Sequence, residues 1–238
     1  MKIIKIEQYE ADIKKAIRKF WNTRGIQLKS STNAGTRGAV TGGKQLDGFL
    51  ELITKVCLDT GVPPECIYVK GNHLPGYFRA TKAWDFIIVS PNGKLIVAIE
   101  LKSQVGSFGN NFNNRTEEAL GSAVDIGTAI RENAFENQAP PWLGYMIVVE
   151  QSKISLRNVK VTKGHFATLP EFENTNYLAR YEILCRKLML ERHYDATCLL
   201  RTTKAKTYAN NANSDLSLSN FLSTLSGHII GRKNDFNK

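Results

Sequence analysis

The apolar positions change their spacing several times along the chain, and each change predicts an element. Residues 5–22 place Ile6, Tyr9, Ile13, Ile17 and Phe20 at helical spacing with lysines opposite, which predicts an amphipathic helix that Gly25 stops. Residues 24–43 carry no apolar period and are rich in Gly, Ser, Thr and basic residues, the pattern of a long functional or irregular loop. A second helix is predicted over Lys44–Thr60, with Leu46, Phe49, Leu50, Ile53 and Cys57 as its stripe and Gly61, Pro63 and Pro64 closing it. Ile67–Val69 reads as a short strand, and residues 70–79 as a loop in which His73 is a hydrogen-bonding residue.

The period then falls to continuous apolar runs. Phe86–Val89 and Leu95–Leu101 flank Ser90-Pro91-Asn92-Gly93, a turn signal, and together they predict a β-hairpin. Further along, Asn114 is the expected N-cap of a helix ending near Glu132, with Glu117 as its capping-box partner. Leu143–Val149 is a third core strand. Tyr177–Arg192 is a helix, Thr197–Thr202 a strand and Leu216–Ile229 a closing helix, with a frayed tail after Gly231. The order gives an α/β fold with a mixed β-sheet flanked by α-helices. No linker divides the chain, so residues 1–238 are read as one domain with its core at about 43–150.

Three charges interrupt the apolar hairpin. Glu100 and Lys102 lie two apart on one strand and share a face. The start of the first strand returns beside the end of the second, so Asp85 is expected next to Glu100. Two carboxylates and a lysine at a strand end suit a hard divalent cation and an attacking water, with Mg²⁺ as the natural ion. The competing reading is a buried ion pair beside a strand-end Asp, which is costly unless satisfied. Asp47 and Glu51 lie one turn apart at the edge of the second helix's apolar stripe. Glu51 is favoured, for its reach, as an added catalytic acid; the plain alternative is a surface pair with Lys55 at i,i+4.

Charge sharpens this picture. The chain has 32 Lys and Arg against 22 Asp and Glu, a net charge of +10, which favours a polyanionic partner such as nucleic acid. The four cysteines show no metal or disulfide spacing and read as buried apolar residues in a reducing cytosol. No signal-peptide pattern or 18-residue apolar run is evident, so a cytoplasmic protein without membrane contact is expected.

The spacing Asp85-x(14)-Glu100-x-Lys102 resembles the PD-(D/E)xK nuclease signature, with Trp84 where that pattern usually has Pro. Three stretches also resemble the XhoI-type family of type II restriction endonucleases: Gly42–Phe49, Leu74–Arg79 with Trp84-Asp85, and Glu100–Ala123. The resemblance is strong over about residues 40–150. It implies a restriction-endonuclease-like core and a Mg²⁺-dependent homodimer that cuts double-stranded DNA at the palindrome CTCGAG, leaving 5′ overhangs and 5′-phosphates. It also implies a restriction-modification system, with a DNA methyltransferase protecting host DNA. Asp85, Glu100 and Lys102 carry over as catalytic positions, with the Leu101 carbonyl joining Asp85 and Glu100 at the metal. Basic and amide residues around these stretches are DNA-contact candidates: Lys29, Arg37, Lys44, Arg79, Gln104, Asn113, Asn114 and Arg115, together with Lys204 and Lys206 in the tract Arg201–Lys206. A repair or junction-resolving nuclease would share the metal site, and a DNA-binding module without catalysis would not need all three charges.

Overall fold

The computed structural model describes residues 4–31, 44–136, 138–162, 164–209 and 214–237. Six strands form one mixed sheet in the order β1-β4-β5-β6-β7-β8. These are β1 (Ile67–Tyr68), β4 (Phe86–Val89), β5 (Leu95–Gln104), β6 (Trp142–Glu150), β7 (Ala196–Thr202) and β8 (Tyr208–Ala209). β5, β6 and β7 run parallel, and the outer pairings are antiparallel. The parallel trio is buried on both sides, which explains why β6 is buried along its whole length and does not alternate before Glu150.

Helices cover both faces. On one face lie α1 (Glu10–Ser31), α2 (Asp47–Thr60) and α5 (Leu218–Gly231), packed on Phe86, Ile88, Ile99 and Leu101. On the other lie α3 (Phe108–Arg131) and α4 (Tyr177–Leu190), packed on Ile87, Ala98, Tyr145 and Ile147. The mixed α/β architecture expected from the sequence is the one observed. All four cysteines are buried and free.

The β4–β5 hairpin closes through Ser90–Lys94, with Gly93 at φ +77° supplying the left-handed residue the turn needs. β4 and β5 fall out of step once: Ile88 pairs with Val97 but Val89 with Leu95, so Ile96 is the extra residue of a bulge. Beyond it Ile99 and Leu101 face α1, α2 and α5. Glu100 and Lys102 therefore face α3.

Several boundaries differ from expectation. α1 does not stop at Gly25. It follows a 3₁₀ turn at Ile6–Tyr9 and continues to Ser31, with an Arg24–Gln27 hydrogen bond of 3.0 Å bridging the glycine. One glycine costs a long helix only about 1 kcal/mol. α3 begins at Phe108, six residues before Asn114. Phe108 is buried and stacks on Tyr177 at 5.7 Å, while Phe112 packs edge-on to Tyr181. These i,i+4 aromatics outweigh the low helix propensity of the Asn and Gly residues around them. The tail after Gly231 is docked by Asp235, which pairs with Arg232 at 2.6 Å and Lys94 at 2.9 Å. Residues 70–83 are not a plain loop but hold a two-stranded hairpin, β2 (His73–Pro75) with β3 (Thr81–Ala83). No helix among the described residues is long and apolar enough to cross a membrane.

Candidate active site

The β4–β5 register sets the centre of the site. Phe86 pairs with Ile99, so Asp85 falls opposite Glu100 on the same face. Asp85 is tied there at both ends of the residue. Its N–H donates to the Ile99 carbonyl at 3.2 Å, and its Oδ2 accepts from the Leu101 N–H at 2.7 Å. Lys102 Nζ reaches Glu100 Oε1 at 2.5 Å and lies 3.8 Å from Glu118 of α3. The three positions singled out by spacing are thus brought together. A lysine that spacing did not single out joins them: Lys82 of β3 places Nζ 2.5 Å from Glu100 Oε2.

The electrostatics follow from burial and crowding. Burial and the neighbouring Glu100 charge together raise the Asp85 carboxyl above its ordinary value, against the pull of the Leu101 N–H and the two lysines. Burial works against the Lys102 ammonium, but Glu100 beside it more than offsets this and its pKa is raised. Lys102 is therefore held as an ammonium against Glu100 in this arrangement.

Asp85, Leu101 and Lys102 line a cavity of about 380 Å³, which Gln45, Asp47, Trp84, Ser103 and Arg115 complete. It opens where β5 ends, beside the carboxyl ends of the parallel strands, the usual place for a site in such sheets. A chain of amides leads into it from α1: Gln27 donates to Gln45, and Gln45 to Ser103 Oγ at 3.3 Å.

The remaining sequence candidates separate clearly. Glu51 does not line this cavity. It pairs with Lys19 of α1 at 2.6 Å and borders a small cleft with Asp12, Lys15 and Lys55. The expected Glu51–Lys55 pair is also not made, because Lys55 reaches Asp12 at 2.5 Å. The physical reason is the course of α2: its first turn abuts the sheet end, so Asp47 lines the cavity, while the next turn carries Glu51 towards α1. Gln104 is buried and its amide donates to the Gly106 carbonyl at 2.5 Å, which turns it away from solvent. Arg115 lines the cavity and bonds Glu118 at 2.6 Å, leaving its buried Nε without a partner. Asn113 and Asn114 are exposed on α3, and Lys44 is exposed at the start of the second helical segment. Arg79 is half exposed and bound to Asp125. Lys204 and Lys206 are exposed in the β7–β8 turn, with Lys204 3.7 Å from Glu150. Lys29 lies within α1, though its side chain, and Arg37 as a whole, fall outside the described residues.

The hairpin β2–β3 was the main omission of the sequence reading. The buried Asp125 of α3 holds its tip, accepting from the Tyr77 and Phe78 N–H groups at 2.9 and 2.8 Å and from Arg79 Nε at 2.8 Å. A Cβ on Gly76 would come within 2.4 Å of Asp125 Oδ2, so the glycine is what admits the carboxylate. Asp125 is one of three acids in α3, and nothing in the sequence marks it for this role.

Comparison with known proteins gives the family. Residues 26–214 match the family model described as restriction endonuclease XhoI. The type II restriction enzyme BstVI of Geobacillus stearothermophilus is 48% identical over 210 residues, covering 84% of this chain and 93% of its own. The type II restriction enzyme XhoI of Xanthomonas vasicola is 43% identical over 193 residues, covering 78% and 77%. AbrI of Azospirillum brasilense, also a type II restriction enzyme, is 36% identical over 170 residues, covering 68% and 76%. No solved structure matches. A match over most of the chain favours restriction over the repair and binding-module alternatives: the chain belongs to the XhoI family of type II restriction endonucleases.

Proposed function

We propose that this endonuclease is Mg²⁺-dependent and cuts double-stranded DNA at CTCGAG, leaving 5′ overhangs with 5′-phosphates, through Asp85, Glu100 and Lys102. The single observation that carries the catalytic assignment is the pairing of Asp85 with Glu100 on one face, with Lys102 against Glu100 at 2.5 Å. The donor set fits a hard cation, because it is all oxygen: Asp85 and the Leu101 carbonyl at the cavity edge, and the Glu100 carboxylate beside them. Among the described residues no three His, Cys, Asp or Glu side chains converge on one point. The set therefore suits an ion that keeps several waters, as Mg²⁺ does. Burial and the Glu100 charge raise Asp85, and a bound dication would offset both by stabilising the carboxylate.

When bound, the cation would polarise a phosphate oxygen and make a coordinated water more acidic. The protein residues do the rest. Asp85, fixed by the Ile99 carbonyl and the Leu101 N–H, sets the depth at which the phosphate docks. Lys102 remains an ammonium, so it donates to the attacking water or to the developing charge on phosphate. Arg115, which lines the cavity and pairs with Glu118, is a cation that can donate to phosphate oxygens there. Asp47 is the helix acid positioned to hold a water at the site, in place of Glu51.

A palindromic site calls for a two-fold homodimer, each subunit cutting one strand. A cognate DNA methyltransferase then protects the host chromosome, both enzymes act in the cytoplasm, and residues 1–238 make up one nuclease domain. Digestion of a mapped plasmid with Mg²⁺ followed by sequencing of the ends tests this reading. Fragments ending within CTCGAG support it, and cutting at other sequences, or none, refutes it.

A further inference from the structure

Both oxygens of Glu100 are taken by ammonium groups. Lys102 holds Oε1 and Lys82 holds Oε2, each at 2.5 Å, and the Glu100 side chain is 5% exposed. Lys102 belongs to the strand motif. Lys82 does not: it comes from β3, a hairpin outside the main sheet. Its position is built. Its Nζ also donates to the Ala83 carbonyl at 3.1 Å and sits 4.4 Å over the ring of the buried Trp84. Its side chain is only 13% exposed, which is unusual for a lysine without a fixed role.

We infer that Lys82 is the resident counter-ion of Glu100, a positioning residue that a divalent cation must displace before Glu100 can serve as a metal ligand. A carboxylate oxygen that accepts a short bond from an ammonium cannot at the same time ligate a dication at close range, because the two positive charges repel strongly where water is excluded. Glu100 accordingly does not border the cavity that Asp85, Leu101 and Lys102 line. Lys82 holds the buried Glu100 charge paired and in place, at the cost of metal affinity. Release of Lys82 also frees the end of β3, whose hairpin presents the exposed Tyr77 and Phe78 at its tip. Metal binding and the set of that hairpin are thereby linked through one ion pair.

This inference rests on the reading of Asp85 and Glu100 as metal ligands, and the test separates the two. Mn²⁺ is titrated into the protein without DNA, and the free ion is followed by its paramagnetic resonance signal. Thermal melting is run in EDTA and in Mn²⁺. Lys82→Met removes the charge at similar length, and Lys82→Gln keeps a hydrogen bond to Glu100 without charge. Both should bind Mn²⁺ at least about five-fold more tightly than wild type, because the competing charge is gone. Both should melt lower in EDTA and gain more from Mn²⁺ than wild type does. Unchanged or weaker Mn²⁺ binding by both variants overturns the counter-ion role. Asp85→Asn and Glu100→Gln should each weaken Mn²⁺ binding; if neither does, the metal-site reading fails, whatever Lys82 does.

Discussion

Replacing Asp125 probes the clamp that connects α3 to the hairpin and, through it, to Glu100. Its carboxylate receives two backbone N–H bonds and one from Arg79, all between 2.8 and 2.9 Å. Hydrogen bonds to a charged group contribute about 1.5–3 kcal/mol each. Arg79 is 46% exposed, so its share falls to the level of a surface pair, under about 1 kcal/mol. Tyr77 and Phe78 lie at an exposed tip where water replaces part of what is lost, so Asp125→Ala should cost about 2–4 kcal/mol, most of it from the two N–H groups. Asp125→Asn keeps one oxygen for the backbone but turns an amide N–H₂ towards Arg79, and should cost about 1 kcal/mol. Gly76→Ala drives a Cβ into the same carboxylate and should resemble Asp125→Ala. Combining Gly76→Ala with Asp125→Ala should add little, since both break one contact. Urea unfolding gives the energies, and hydrogen exchange at Tyr77 and Phe78 localises them. Cleavage should fall ten-fold or more, because a loosened hairpin lets Lys82 and Glu100 shift. A cost below about 0.5 kcal/mol for Asp125→Ala, with those amides unchanged, would refute the reasoning.

Other outcomes follow from the same geometry. Asp47→Asn should lower the rate at limiting Mg²⁺ by ten-fold or more with partial rescue by Mn²⁺, whereas Glu51→Gln should overlay the wild-type metal titration, because Asp47 lines the cavity and Glu51 pairs with Lys19. Two similar substitutions should change stability in opposite directions at neutral pH in EDTA. The raised Asp85 carboxyl binds its proton more tightly in the fold, so its ionisation lowers stability as pH rises from its unfolded value through the folded one, and Asp85→Asn should raise the melting temperature. Burial alone would raise Asp125, but the Phe78 N–H, Arg79 and the Tyr77 N–H hold it lower. Its contribution is complete above the unfolded value and lost as pH falls through the folded one, so Asp125→Asn should lower the melting temperature. Lys204→Ala and Lys206→Ala should each weaken DNA binding across all sequences and reduce the salt slope by about one, measured by fluorescence anisotropy; unchanged binding would leave that turn solvated.

Much of the site was legible because it depends on strand periodicity. The Asn92-Gly93 turn and the two apolar runs fixed the hairpin register, and register alone puts Asp85 against Glu100. The bulge at Ile96 was not visible, yet it lies before Glu100 and leaves the pairing at Asp85 intact. What escaped depends on long-range contacts. Lys82 belongs to no motif in the sequence, and only the fold of β3 over Trp84 buries it. Asp125 sat in a helix as one acid among many, and Gly76 in a turn-rich stretch. The start of α3 was masked by Asn and Gly, because the packing of Phe108 and Phe112 on α4 decides it. Glu51 was favoured over Asp47 for its reach, whereas the direction in which α2 leaves the sheet end puts Asp47 at the cavity and Glu51 beside Lys19.

The most direct test of the central claim is single-turnover cleavage of a duplex containing CTCGAG by Asp85→Asn, Glu100→Gln and Lys102→Ala, alongside DNA binding in Ca²⁺, an ion expected to support binding without cutting. The account predicts that each variant loses more than about a hundred-fold in rate while still binding the duplex and melting cooperatively. A folded variant of any of the three that cuts at close to the wild-type rate would contradict it.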